Sequence, residues 1–151
     1  MKKKIIKKIA VMVIAIAACL STVTTAFALY YSKSYYDKIS WTYEYSAPYT
    51  NSYNCLGYAT GSMKWEWPWG ASNPTNAQVT TYLKKKGYYV SNKYPHIISY
   101  GTTKNITHFS KVTGTEWCRA KWGGLERFNH HSYDPYTKKG GYGKKVTVYS
   151  K

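Results

Sequence analysis

The sequence predicts an α+β fold in which N-terminal helices pack on an antiparallel β-sheet. Three observations carry that expectation. Apolar residues recur at helical spacing after Asn54 and again after Pro74. From Tyr88 onward the pattern changes to short runs rich in Tyr, Ile, Val and Thr. Turn residues rather than further helices separate those runs, which favours antiparallel neighbours over βαβ units.

The chain opens with "MKKKIIKKIAVMVIAIAACLSTVTTAFA", a charged start, an apolar run from Ile9 to Leu20 and a small-residue end at Ala26-Phe27-Ala28. That is the layout of a secretory signal, with cleavage expected after Ala28. The apolar run falls short of the about 20 residues a membrane-spanning helix needs. Ile16-Ala17-Ala18-Cys19 also fits a lipoprotein processing box, so a lipid anchor on Cys19 is the alternative fate. A secreted or envelope-associated bacterial protein is expected, monomeric and without a membrane span once the signal is removed.

Residues 29–53 form a Tyr-rich stretch, with "LYYSKSYYDKISWTYEYSAPY" over 29–49, whose alternation of Tyr, Ser and Lys suits a strand or an extended arm laid over the domain. The α+β domain is expected over 54–151. Asn54 is a good N-cap and puts Cys55 in the first turn of a helix carrying Leu56, Ala59 and Met63. Pro68, Gly70 and Pro74 end that helix. In "NPTNAQVTTYLKKKGYYV", Asn73 is read as the next cap and Pro74 as the first position. Ala77, Val79, Tyr82 and Leu83 give the helix its apolar side, and Gly87 is its stop. Strands are predicted at 88–90, 96–100, 105–112, 116–122 and 145–150, with a tight hairpin at Thr113-Gly114-Thr115.

Charge narrows the partners. Lys and Arg number 22 against six acids, for a net charge of +16. Signal removal takes five lysines and leaves +11 on 123 residues. An exported cationic chain suits anionic envelope polymers or peptidoglycan. Export, with no helix-turn-helix, finger or arginine-rich block, argues against nucleic acid. The eighteen Tyr and six Trp are read mainly as half-buried faces with a wet hydroxyl.

Two cysteines survive signal removal, Cys55 and Cys118. In an exported chain they either pair as a disulfide or serve separately. A first-turn thiol feels the helix dipole and unpaired N–H groups, which favour thiolate and can receive an oxyanion. Such a nucleophile needs a base, and His108 in the strand "ITHFSKV" is the candidate. His130 and His131 follow "GGLERFN"; adjacent on an extended chain they face different ways, which argues against a metal pair. His96, beside Pro95, reads as structural. No cofactor is implied.

The order "NCLGYA", a helix, "THFSKV" and then "WCRAKWG" resembles the papain-like superfamily of cysteine amidases and peptidases, the CHAP-like cell-wall amidase branch in particular. From Asn54 to Tyr149 the chain also resembles a small bacterial domain family. Its marks are an Asn-Cys-aliphatic-x-aromatic-Ala start, Trp-Pro after the helix, a Thr-His strand and a Lys-x-Gly turn. The resemblance implies a papain-like arrangement with Cys55 as nucleophile and His108 as base. The third position is where the chain departs, since "EWCRAKW" offers no Asn, Asp or His; His130 is the substitute, and Lys121 has no assigned role. The expected function is an exported thiol-dependent amidase or peptidase acting on peptidoglycan peptides or another envelope amide. The alternative is a non-catalytic, aromatic-rich envelope-binding module with a Cys55–Cys118 disulfide.

Overall fold

The computed structural model describes residues 28–151, so the signal segment and Cys19 lie outside the described residues. Chain order begins with α1 (Lys33–Tyr36) and β1 (Glu44–Ala47), followed by α2 (Cys55–Thr60) and α3 (Asn76–Lys85). Six strands follow: β2 (Tyr89–Val90), β3 (Pro95–Thr102), β4 (Asn105–Gly114), β5 (Trp117–Lys121), β6 (Arg127–His130) and β7 (Lys144–Ser150). No helix among the described residues is long and apolar enough to cross a membrane.

The helices are short for local reasons. Asn54 caps α2 as expected, its side chain accepting the Gly57 N–H, but the helix stops after six residues where Gly61 turns left-handed at φ 79°. Met63, expected on its apolar side, lies beyond that stop and is exposed. In α3 the cap is Thr75 rather than Asn73. Thr75 and Gln78 form a capping box, two hydrogen bonds that outcompete the Asn73-Pro74 start. Val79 and Leu83 are its buried positions.

The seven strands form one antiparallel sheet in the order β1-β6-β5-β4-β3-β7-β2. This corrects the expected α+β, papain-like class: with helices of four, six and ten residues, the protein is mainly β. The physical reason is that helical periodicity is never sustained beyond three turns, whereas β3 to β6 run as a continuous meander and β7 returns to the free side of β3. Of the two forms expected for the Tyr-rich stretch, a strand or an extended arm, part of it takes the strand form. The stretch supplies α1 and then β1, which pairs with β6 as an edge strand.

Each face of the sheet has its own core. Leu56 and Ala59 of α2 and Val79 and Leu83 of α3 pack on Ile97, Ile106, Phe109 and Tyr149. The other face carries Tyr36, Ile39, Ile98, Tyr100, Trp122, Phe128 and Tyr136. Strict alternation would put Ile106 and His108 on one face. Two irregularities prevent this. Tyr100 pairs with His108 but Gly101 with Ile106, so Thr107 is an extra residue; likewise Ser99 pairs with Thr147 but Tyr100 with Lys145, so Val146 is extra. Gly101 lies between the two bulges at φ 127°, and a Cβ there would sit 2.2 Å from the Asn105 carbonyl oxygen. The bulges send Ile106 and Val146 to the helical face while His108 stays among the aromatic rings opposite.

Replacing Gly101 by Ala therefore combines a forbidden φ with a backbone clash, and should cost more than about 2 kcal/mol in urea unfolding. The control is Gly70→Ala, which is also at positive φ, in the left-handed region at 71°, but has open space around it and should cost about 1–2 kcal/mol. Equal costs would refute the role given to the Gly101 contact.

Candidate active site

A cavity of about 440 Å³ opens where α2 meets the bulged end of β4, and Cys55 and His108 both line it. The cysteine reaches it from the helix start. Asn54 is fully engaged in holding that start: Oδ1 accepts the N–H of Gly57 (3.0 Å) and of Glu66 (3.2 Å), and Nδ2 donates to the Glu66 carbonyl (2.7 Å). One buried amide thus caps the helix and fastens the Trp65–Trp67 segment beside it.

The Cys55 thiol is buried, and burial pushes it up to about 11. The backbone N–H groups of Phe109, Leu56 and Cys55 itself act in the opposite direction, as does the Lys121 charge. The balance at neutral pH is a protonated thiol surrounded by donors that would receive a thiolate.

His108 is buried by the rings around it. Tyr142 stacks on it at 3.9 Å and 13°, and Tyr136 meets it edge-on at 4.9 Å. Burial, with a smaller contribution from His130, holds its pKa well below 6.5, so the imidazole is neutral. Its Nε2 is buried without a hydrogen-bond partner, the Cys55 sulfur included. Leaving such an atom unpaired costs about 1–3 kcal/mol.

The expected third member does not reach His108. His130 Nε2 pairs with the Tyr136 hydroxyl at 2.8 Å, and its Nδ1 meets the Thr42 carbonyl. Tyr136, which also receives the Trp122 indole N–H at 3.1 Å, stands between the two histidines. His130 lies on the aromatic face of the sheet and outside the cavity because β6 is two strands away from β4. Burial lowers it to about 4. His131 points the other way and pairs with Glu44 at 2.8 Å.

The Cys55–Cys118 disulfide is also corrected: both cysteines are free. Cys118 is buried on the aromatic face, where its thiol donates to the Ser132 carbonyl at 3.1 Å and receives the Tyr100 hydroxyl. The sheet lies between it and Cys55.

Sequence reasoning passed over Tyr142 and Trp65, which line the cavity with Trp67 and Thr107. No local signal marks Tyr142; it arrives because Thr107 Oγ1 donates to its carbonyl at 2.6 Å, joining the bulge to the segment before β7. Lys121 was noticed without a role, and the structure supplies one. It is fully buried, and Nζ donates to the carbonyls of Thr50 (2.9 Å), Gly123 (2.8 Å) and Leu125. It ties the β5–β6 turn, whose Gly123 borders the cavity, to the segment entering α2. Burial lowers its pKa to about 8, with the charges of Glu126 and Cys55 opposing that fall.

A family model described as a domain of unknown function (DUF7689) matches residues 44–150. The chain belongs to this family. The match begins at β1 and ends at β7, so the family unit is the whole sheet with α2 and α3. No curated protein and no solved structure matches the chain.

The two buried histidines make the DUF7689 domain acid-sensitive. Their folded pKa values lie below the unfolded 6.5, so the unfolded chain binds protons first as pH falls. The stability they permit is full above pH 6.5 and is lost on the way down to about 4. Urea midpoints should be level between pH 7 and 8 and fall steeply below about 6.5, by up to about 1.4 kcal/mol per pH unit for each histidine. A midpoint unchanged at pH 5 would contradict their neutral burial.

Proposed function

We propose that the protein is a thiol-dependent hydrolase of amide bonds, with Cys55 as nucleophile and His108 as its base. The observation that carries this reading is that a buried, neutral imidazole and a helix-start thiol line one cavity, and that the imidazole makes no hydrogen bond through its Nε2. General-base attack does not need a preformed thiolate: as the Cys55 sulfur bonds to the carbonyl carbon, its proton passes to His108. The imidazolium then protonates the amine, the C–N bond breaks, and a thioester remains on Cys55. Water attacks that thioester by the same route in reverse, giving the acid and restoring the thiol. The N–H groups of Leu56 and Phe109 beside the sulfur support a tetrahedral oxyanion formed there. The cationic excess of the chain directs the reading to amides of an anionic envelope, peptidoglycan peptides among them.

Cys55→Ala should abolish hydrolysis of peptidoglycan peptides while keeping the melting temperature within a few degrees. His108→Ala should lower the rate by about 10²–10⁴-fold. Full activity in Cys55→Ala would sink the proposal. Because the thiol titrates near 11, its alkylation by iodoacetamide should rise about tenfold per pH unit between pH 7 and 10. A rate already level at pH 7 would instead indicate a standing thiolate–imidazolium pair.

A further inference from the structure

The walls of the cavity specify what sits beside the reacting carbonyl. Trp65 is 54 % exposed, and among the described residues it makes no hydrogen bond and no ring stack, yet it lines the cavity that holds Cys55 and His108. Its position is imposed from below. Asn54 holds both backbone groups of Glu66, and the Glu66 carboxylate accepts Lys86 Nζ and Thr60 Oγ1, each at 2.9 Å. The segment lies so close to α2 that a Cβ on Gly57 would be 1.8 Å from the Lys64 carbonyl oxygen. The backbone that carries this large indole is therefore fastened beside the cavity, and the indole itself lines the cavity without serving the core.

The remaining lining is electrically neutral. Trp67 and Tyr142 face the same space, and Gly70, Ala71 and Gly123 leave room between them. The two neutral polar side chains there, apart from the reacting pair and the Tyr142 phenol, are committed: Asn54 to Glu66 and Gly57, and Thr107 Oγ1 to the Tyr142 carbonyl. No Lys or Arg lines the cavity, although the chain carries 22 of them, and the buried Lys121 ammonium is committed to three carbonyls. An anionic group entering here would lose its water without gaining a paired charge, whereas an apolar or flat group would bury surface against the indoles.

We infer that the cavity accepts an uncharged, apolar acyl group, with Trp65 as the residue that selects it. This rests on Cys55 being reactive, and it runs against the overall charge of the protein, which by itself would draw anionic substrates.

The test is alkylation of Cys55 at pH 9 by iodoacetamide, N-benzyl iodoacetamide and iodoacetate, followed by mass analysis of the Cys55 peptide. Each rate is divided by that of the same reagent with free cysteine. The benzyl reagent should exceed iodoacetamide by about tenfold or more, and iodoacetate should fall below it by a similar factor. Trp65→Ala should bring the ratio of the benzyl rate to the iodoacetamide rate down to about one; Trp65→Phe should restore part of it. Iodoacetate reacting as fast as iodoacetamide, or a benzyl advantage that survives Trp65→Ala, overturns the selectivity and leaves the nucleophile standing. A Cys55 inert to all three reagents overturns both.

Discussion

One position without a side chain, Gly101, governs which way half of the sheet faces. With an extra residue in β4 on one side and in β7 on the other, the strands can keep pairing only if the backbone between them adopts a positive φ and tolerates a carbonyl at close range. The bulges let Ile106 and Phe109 share the helical core although they are three residues apart, a spacing that regular alternation would split between faces. They also set His108 against Tyr142 and Tyr136, and place Thr107 where it can hold the segment before β7. The cavity is a consequence of this local break in an otherwise continuous meander.

The interior around that break is unusually polar for a small domain, and nearly all of it is satisfied. Glu126 is buried and accepts the Tyr36 hydroxyl and the Tyr30 N–H, both at 2.5 Å, which draws the N-terminal segment onto the aromatic face. Lys121 meets three carbonyls. Trp122, Tyr136 and His130 form a continuous line of hydrogen bonds. Set against this, the unpaired Nε2 of His108 stands out; Thr42 Oγ1 is its only companion among the described residues. Unpaired buried polar atoms are uncommon because each is expensive, and this one belongs to a residue that lines the same cavity as Cys55.

The cavity is held from two directions by different means. On the helical side a single amide, Asn54, couples the α2 start to the indole-bearing segment, and the Glu66–Lys86 pair anchors that segment to the end of α3. Burial tends to raise the Glu66 carboxyl, but hydrogen bonds from Lys86, Thr60 and Ser62 prevail and keep it below its ordinary value. On the sheet side Lys121 fixes the β5–β6 turn. The Lys121 fastening uses no ion pair, whereas the Glu66–Lys86 anchor is a partly exposed one that salt weakens.

Much of the local structure was legible in the residues themselves. The Asn54 cap, the first-turn position of Cys55, the second helix and five of the seven strands follow from capping chemistry and periodicity, because these are decided within a few residues. The start of α3 and the choice between strand and arm in 29–53 were not, since a capping box two residues on and pairing with β6 decided them. The pairing of His108 with the Cys55 cavity was inferred from element order, while His130 was misplaced because no local pattern shows that β6 lies two strands from β4. By itself, then, the sequence determined the Asn54 cap and the first-turn place of Cys55, the existence of most strands and how strongly cationic the chain is. The tertiary structure alone decided that one sheet dominates, that Cys55 and Cys118 lie apart as free thiols, and that Trp65 and Tyr142 enclose the site. Those outcomes depend on strand order and on two bulges around Gly101, which are set by contacts between residues far apart in the chain.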